Sequence, residues 1–273
     1  MKKVVFILVS FFVLGFYADR ASAQELIAPR PIGLEKMIGV VGVVVPDYEG
    51  SDEYDFTFAP MLFYKINGSS RYFQLVGNKV FLNILDQENL EFGPMGVYRL
   101  GRASGSVEDD VVSKMSTVDS SIEVGGFIGY AKKFDNNPRH RMNVHLDVTQ
   151  DVSDGHDGLT AALSAIYWRP IARPFDIGFR GAVTFADDEY MSSFFDVTAS
   201  DSASSGLPQF DADAGLKDAS VQLMGLLHLS KAWKIAGGVQ YKRLMGDAED
   251  SPVVDQRGDA NQISAGIALL YSW

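Results

Sequence analysis

The sequence predicts an all-β fold: a transmembrane antiparallel β-barrel of about twelve strands (ten as the fallback), closed on itself with both termini in the periplasm. Three observations carry the expectation. An export signal opens the chain, strand-length segments of period-two hydrophobicity fill the rest, and the last strand ends on an aromatic residue.

Residues 1–23 read as a signal peptide. Lys2 and Lys3 form a positive n-region, Val4 to Tyr17 an apolar core, and Ala21-Ser22-Ala23 a small-x-small cleavage site after Ala23. The apolar stretch is short for a membrane-spanning helix of about 20 residues. With no cysteine anywhere, lipoprotein anchoring is excluded. Residues 24–37 follow as a short periplasmic segment, and 38–273 form the barrel. No later stretch approaches the 18 or so consecutive apolar residues of a spanning helix, which leaves a soluble periplasmic protein or a barrel of a Gram-negative outer membrane.

Alternation decides for the barrel. From Ile263 to Trp273 one face carries Ile263, Ala265, Ile267, Leu269, Tyr271 and Trp273, and the other Ser264, Gly266, Ala268, Leu270 and Ser272. The same pattern runs through Met142–Val148, Phe175–Phe185 and Trp233–Tyr241. Tyr130, Phe134, Tyr167, Trp168, Phe175, Trp233, Tyr241, Tyr271 and Trp273 stand near strand ends, as aromatic girdles at the two membrane interfaces require. Tyr271 and Trp273 are candidates for the assembly signal read by the barrel-insertion machinery.

Eleven segments begin near Ile38, Thr57, Tyr72, Glu91, Ser121, Arg141, Gly158, Phe175, Asp218, Trp233 and Gln262. An even number is needed, so either Tyr190–Thr198 is the twelfth strand or one N-terminal segment is not a full crossing. Counting back from a periplasmic C-terminus places the connections Gly246–Asn261 and Ala199–Gly215 outside the cell, while the side of Arg102–Ser120 depends on the parity.

Composition removes several functions. The absence of cysteine excludes a thiolate metal site, a disulfide scaffold and a cysteine nucleophile, and 24 basic against 35 acidic residues argues against a nucleic-acid partner. His145 and Asp147 share a strand face, but a polar row facing a wet lumen accounts for them better than a hydrolase centre. The run Asp47, Glu49, Asp52, Glu53 and Asp55 lacks calcium-loop spacing and reads as a solvated acidic loop. Asp151, Asp154 and Asp157 around Gly155-His156 read the same way. The inward residues Glu123, Asp147, Asp176, Arg180, Lys234 and Lys242 mix both signs, which fits either internal pairing that plugs the lumen or a weakly selective channel. No catalytic, metal or cofactor site is expected.

Several stretches resemble the MipA/OmpV family of outer-membrane proteins: Pro46-Asp47-Tyr48-Glu49-Gly50-Ser51, Gly155-His156-Asp157-Gly158, Asp187-Asp188-Glu189-Tyr190-Met191, Phe194-Phe195-Asp196-Val197-Thr198, Ser205-Gly206-Leu207-Pro208, Ala214-Gly215-Leu216-Lys217-Asp218 and Gly246-Asp247-Ala248-Glu249-Asp250-Ser251-Pro252-Val253-Val254. The likeness runs from about Val40 to Trp273. Asp196 stands where members usually have glycine, Trp273 where many have phenylalanine, and Ser113–Val118 diverges. The resemblance implies an outer-membrane, non-catalytic scaffold of murein synthesis, seated among outer-membrane lipid and lipopolysaccharide. Its implied partners are a lytic transglycosylase and a bifunctional penicillin-binding synthase. A narrow porin-like channel or a surface adhesin is the alternative that other members suggest.

Overall fold

In a computed structural model, which describes residues 35–102 and 107–273, a single antiparallel sheet closes on itself. Its strands are β1 (Lys36–Pro46), β2 (Tyr54–Lys65), β3 (Tyr72–Val76), β4 (Lys79–Asn83), β5 (Leu90–Arg99), β6 (Ser121–Phe134), β7 (Asn137–Asp151), β8 (Leu159–Ala172), β9 (Phe175–Ala186), β10 (Gly215–His228), β11 (Trp233–Leu244) and β12 (Asn261–Ser272). Each pairs with its sequence neighbours. β12 closes the ring against β1, from Met37 opposite Ser272 to Val44 opposite Ala265. Closure leaves no sheet edge in hydrocarbon, where an unpaired backbone group costs several kcal/mol. The segment expected to be a signal peptide, with Ala21 and Ala23, lies outside the described residues.

The period-two pattern becomes two surfaces. Ile263, Ile267, Leu269 and Tyr271 of β12 point outward, as do Val40, Phe58, Ile128, Phe179, Leu223 and Val239 of other strands. Phe58 and Ile267 are 68% and 64% exposed, a density of bare apolar surface that is explained by contact with lipid acyl chains. The expected girdle residues Tyr130, Tyr167, Phe175, Trp233, Tyr241, Tyr271 and Trp273 are all on this outer surface. Trp168 is not: it is inward and 1% exposed. Its position in β8 has the parity of the luminal row, which an argument from nearness to a strand end overlooks.

The twelfth strand is β4, not Tyr190–Thr198. β3 and β4 are five residues each and turn at Gly77-Asn78, with Gly77 at φ +56°, a two-residue hairpin of the kind that places glycine first. Tyr190–Thr198 instead falls largely in a helix, α1 (Asp188–Phe195). Tyr190, Met191, Phe194 and Phe195 make one apolar helical face. The Asp187 carboxylate caps the helix by accepting the Tyr190 N–H at 3.0 Å, an interaction worth about 1 kcal/mol. α2 (Ala199–Ser205) follows it, and α3 (Asp247–Asp250) with α4 (Pro252–Asp255) fills the β11–β12 connection.

With twelve strands the sidedness of every connection is settled. The longer connections, residues 47–53, 100–120, 152–158, 187–214 and 245–260, lie at one end together with the tight β3–β4 turn 77–78. The opposite end has only 66–71, 84–89, 135–136, 173–174 and 229–232. Long connections face outward from the cell and short turns face the periplasm in barrels of this kind. The connection 100–120 is therefore extracellular.

Tyr271 stacks on Trp273 at 6.2 Å and meets Trp233 edge-on at 5.0 Å, forming an outward aromatic corner at the periplasmic rim. Trp273→Asp is expected to reduce the amount of inserted barrel and raise periplasmic degradation; unchanged outer-membrane levels, read by heat-modifiable gel mobility, would remove the assembly role of Tyr271 and Trp273.

Candidate functional site: a charge lock across the extracellular mouth

Glu49 lies on the β1–β2 loop, yet it is 5% exposed because the loop folds down into the barrel. Its carboxylate takes a short charged hydrogen bond from Lys217 Nζ, a second contact at 3.4 Å from Lys242 Nζ, and the Tyr190 hydroxyl at 3.0 Å. Lys217 reaches it because β10 carries a bulge between Leu216 and Asp218. The extra residue turns both Lys217 and Asp218 inward, with Nζ 2.9 Å from Asp218 Oδ2. Thr184 donates to the other Asp218 oxygen at 3.1 Å.

Tyr190 links this half to the other. Lys217 Nζ lies 5.3 Å and the Arg99 guanidinium 5.0 Å from its ring centroid, both within cation–π range. Arg99, at the end of β5, makes a two-pronged pair with Glu123 of β6. Glu123 also accepts from Thr149 Oγ1 at 2.6 Å. The Gly158 N–H donates to His156 Nδ1 at 3.0 Å, which makes Nε2 the protonated nitrogen and the donor to Glu123 at 3.1 Å. Gly158 has no alternative, since a Cβ there would sit 2.3 Å from the Tyr190 nitrogen.

β5 and β11 are six strands apart in a ring of twelve, so the chain Glu123–Arg99–Tyr190–Glu49–Lys242 crosses the barrel from wall to wall. Three carboxylates (Glu49, Glu123, Asp218) meet three cations (Arg99, Lys217, Lys242), and the network is neutral. An ion filter would present a ring of one sign. Burial alone would raise the Glu49 carboxyl, but Lys217 and then Lys242 overcome it and hold the group down at about 2. Burial pushes the Tyr190 phenol well above its usual range, so it remains a donor.

The loops form a lid over the lock. Tyr190, Met191, Phe194 and Phe195 of α1 pack with Ala248, Val254 and Leu244. Tyr48, Val112, Met115, Val197, Leu207 and Val253 make an adjoining cluster. Polar ties cross between loops: Arg102 Nη1 to the Phe194 carbonyl at 3.0 Å, Ser251 Oγ to the Phe195 carbonyl at 2.5 Å, and Arg257 to Asp109 at 2.6 Å. The acidic run is therefore not a solvated loop. Asp47 and Glu49 are buried, and Asp47 accepts the Glu108 N–H at 3.1 Å; their partners lie 60 to 190 residues away, beyond local inspection. Asp151 folds the next loop, accepting N–H groups from Gly155 and His156 at 2.7 Å each and from Asp157 at 3.1 Å.

Elsewhere the mixed-sign row is paired internally. Asp176 takes Arg139 at 2.6 Å and His228 at 2.7 Å, and Lys234 donates to Ser272 at 2.5 Å. His145 is held by Glu91 at 2.9 Å and stacked on Phe127, with Asp147 at 3.9 Å, which is the environment of a structural histidine. Below the lock, Met37, Met61, Phe63, Trp168, Met224 and Leu226 form an apolar luminal cluster toward the periplasm.

Lipid-facing wall, closed sheet and loop-capped mouth together define an outer-membrane β-barrel. Of solved structures, the NanC porin is similar at 9% identity and TM-score 0.51, covering 86% of this chain and 100% of its own. An outer membrane channel from Pseudomonas putida F1 shows 11% identity and TM-score 0.49, over 90% of this chain and 100% of its own. At these identities the likeness is one of fold. No curated protein matches the chain. The family described as MltA-interacting protein MipA matches residues 38–273, and the chain belongs to that family.

Glu49→Gln takes the carboxylate from buried Lys242 and leaves Lys217 only Asp218, and is expected to destabilise the barrel by about 3 kcal/mol, read as a fall in the temperature of the heat-modifiable mobility shift. The folded carboxyl stays ionised to about pH 2, whereas the free group titrates near 4.5. Its stabilisation is whole above pH 4.5 and is lost as pH falls from there toward 2. The variant should lack that acid-side slope; a parallel slope in both proteins would show that Glu49 is not its source.

Proposed function

We propose that the protein is a closed, non-catalytic outer-membrane platform that serves the murein-synthesis machinery as a scaffold. One observation carries the reading: the Glu123–Arg99–Tyr190–Glu49–Lys242 bridge spans the mouth that a conduit would need open. Family membership supports it, since the family is described by an interaction with another protein, MltA. The partners that fit are a lytic transglycosylase and a bifunctional penicillin-binding synthase, which work on murein and so meet the periplasmic rim.

On that rim the two largest connections, 66–71 and 84–89, flank the short β3–β4 hairpin and are tied to each other. Ser70 N–H donates to Asp86 at 2.7 Å, Asn83 Nδ2 to the Ser70 carbonyl at 2.9 Å, and Arg71 Nε to the Ile84 carbonyl at 3.1 Å. Preformed loops bind with less ordering cost than loose ones, and we assign the partner-facing surface to this pair.

The rival reading is a narrow porin, favoured by the polar residues of the inward rows. Planar bilayers and affinity capture from envelope extracts separate the two. The scaffold predicts silent bilayers with a transglycosylase and a synthase retained, and loss of that retention when Arg71 and Asp86, whose side chains tie the two loops, are both replaced by alanine. Stable conductance steps from the unmodified protein with no murein enzyme retained would establish the porin instead.

A further inference from the structure

The outer wall carries a groove at its periplasmic end, beside the short β3–β4 hairpin. Cross-strand register sets up one outward row of Lys36, Tyr64, Phe73 and Leu82 on β1 to β4. The next row, nearer the periplasm, is Ile66, Arg71 and Ile84, with the Ile66 N–H donating to the Arg71 carbonyl at 3.0 Å. The groove between these residues is about 390 Å³, the size of a small-molecule site, and Arg71 is the one charged side chain in its lining. Arg71 Nε donates to the Ile84 carbonyl at 3.1 Å, which fixes the guanidinium at the groove. Among the described residues Arg71 makes no ion pair, so its two terminal amino groups remain for an anion. Lys36 stands on the other side of Tyr64, its Nζ 5.1 Å from the ring centroid, and it too makes no ion pair among the described residues.

We propose that this groove holds one glycerophospholipid of the periplasmic leaflet, an acyl chain along the apolar lining and the phosphodiester between Arg71 and Lys36. Position names the class of occupant: Tyr64, Ile66, Leu82 and Ile84 are exposed on the lipid-facing wall, where the neighbouring molecules are lipids. The cations name its polar end, because a guanidinium fork grips a phosphate and a lysine adds a point charge beside it. Asp86, which accepts the Ser70 N–H at 2.7 Å, lies within electrostatic reach of Arg71. Arg71, Lys36 and Asp86 together carry one positive charge, which one phosphodiester balances. An acyl chain gains little by leaving bulk lipid for the groove, since lipid tails are as apolar as its lining. The two cations therefore supply the preference, and the groove supplies the shape.

The site does not depend on the scaffold reading. It lies on the membrane side of the loops assigned to the partner, and lipid retention is read with no murein enzyme present.

The test is native mass spectrometry of the full chain in detergent, with folding verified by heat-modifiable mobility. The protein is titrated with phosphatidylglycerol, with a diacylglycerol of the same chains, and with inorganic phosphate. Phosphatidylglycerol is expected to be retained saturably at one per barrel; diacylglycerol, which lacks the phosphate, and inorganic phosphate, which lacks the chains, are not. Arg71→Gln should weaken retention about tenfold, equivalent to the loss of one good charged contact. Lys36→Gln breaks no hydrogen bond of the fold and should weaken it about fivefold; it carries the test if Arg71→Gln folds poorly. Arg169, exposed at the periplasmic end of β8, is the control for general surface charge, and Arg169→Gln should leave retention unchanged. Equal retention of diacylglycerol, binding of inorganic phosphate alone, or the absence of a saturable phosphatidylglycerol complex would each overturn the site. So would unchanged retention in folded Lys36→Gln or Arg71→Gln, or an equal loss in Arg169→Gln.

Discussion

A carboxylate removed from water must have its counter-charges already in place, because leaving a buried charge unpaired costs several kcal/mol. Glu49 imposes that condition on the whole extracellular half of this barrel. Satisfying it requires the β1–β2 loop to dip inward, the β10 bulge to aim Lys217 across the lumen, and β11 to present Lys242 at the same height. It also requires α1 to deliver the Tyr190 hydroxyl, and that helix can approach only where Gly158 leaves room. Once Tyr190 is seated, its ring attracts Arg99 and draws in Glu123 and His156. The loops above pack on the back of the same helix. Remove the carboxylate and Lys242 and the Tyr190 hydroxyl lose their shared partner, and the two halves of the lock lose their link.

The barrel was legible in the sequence wherever one side of a strand had to meet lipid. Ile263 to Trp273 shows why: each outward side chain is apolar, each inward one small or polar, and a slip of one residue would invert both faces. Legibility failed where length or parity carried the information. β3 and β4 are too short for five residues to show alternation, and the hairpin betrays itself only by Gly77-Asn78. Tyr190–Thr198 is apolar enough for a strand, but its spacing is helical and its Asp187 cap is a helix signal.

The lock was legible only in part. The stretches that carry the family resemblance supply Glu49, His156, Tyr190, Lys217 and the loop around Ala248 and Val254. Scattered along the sequence, these stretches converge on one site. Arg99 and Lys242, by contrast, sit in ordinary strand ends with no local mark. Nothing in the acidic run itself distinguishes Asp47 and Glu49, which are buried, from Asp52 and Glu53, which are exposed. The difference lies in cations supplied by distant strands, a long-range electrostatic fact that composition and spacing do not encode.

The concentration of connected ion pairs at the extracellular mouth has a physical logic. Ion pairs are directional and need many partners to be stable when buried; they are placed where five connections converge and can supply those partners. Toward the periplasm the turns are short, and beside the local Asp176–Arg139–His228 cluster wall residues such as Met37, Met61 and Met224 fill the space by packing.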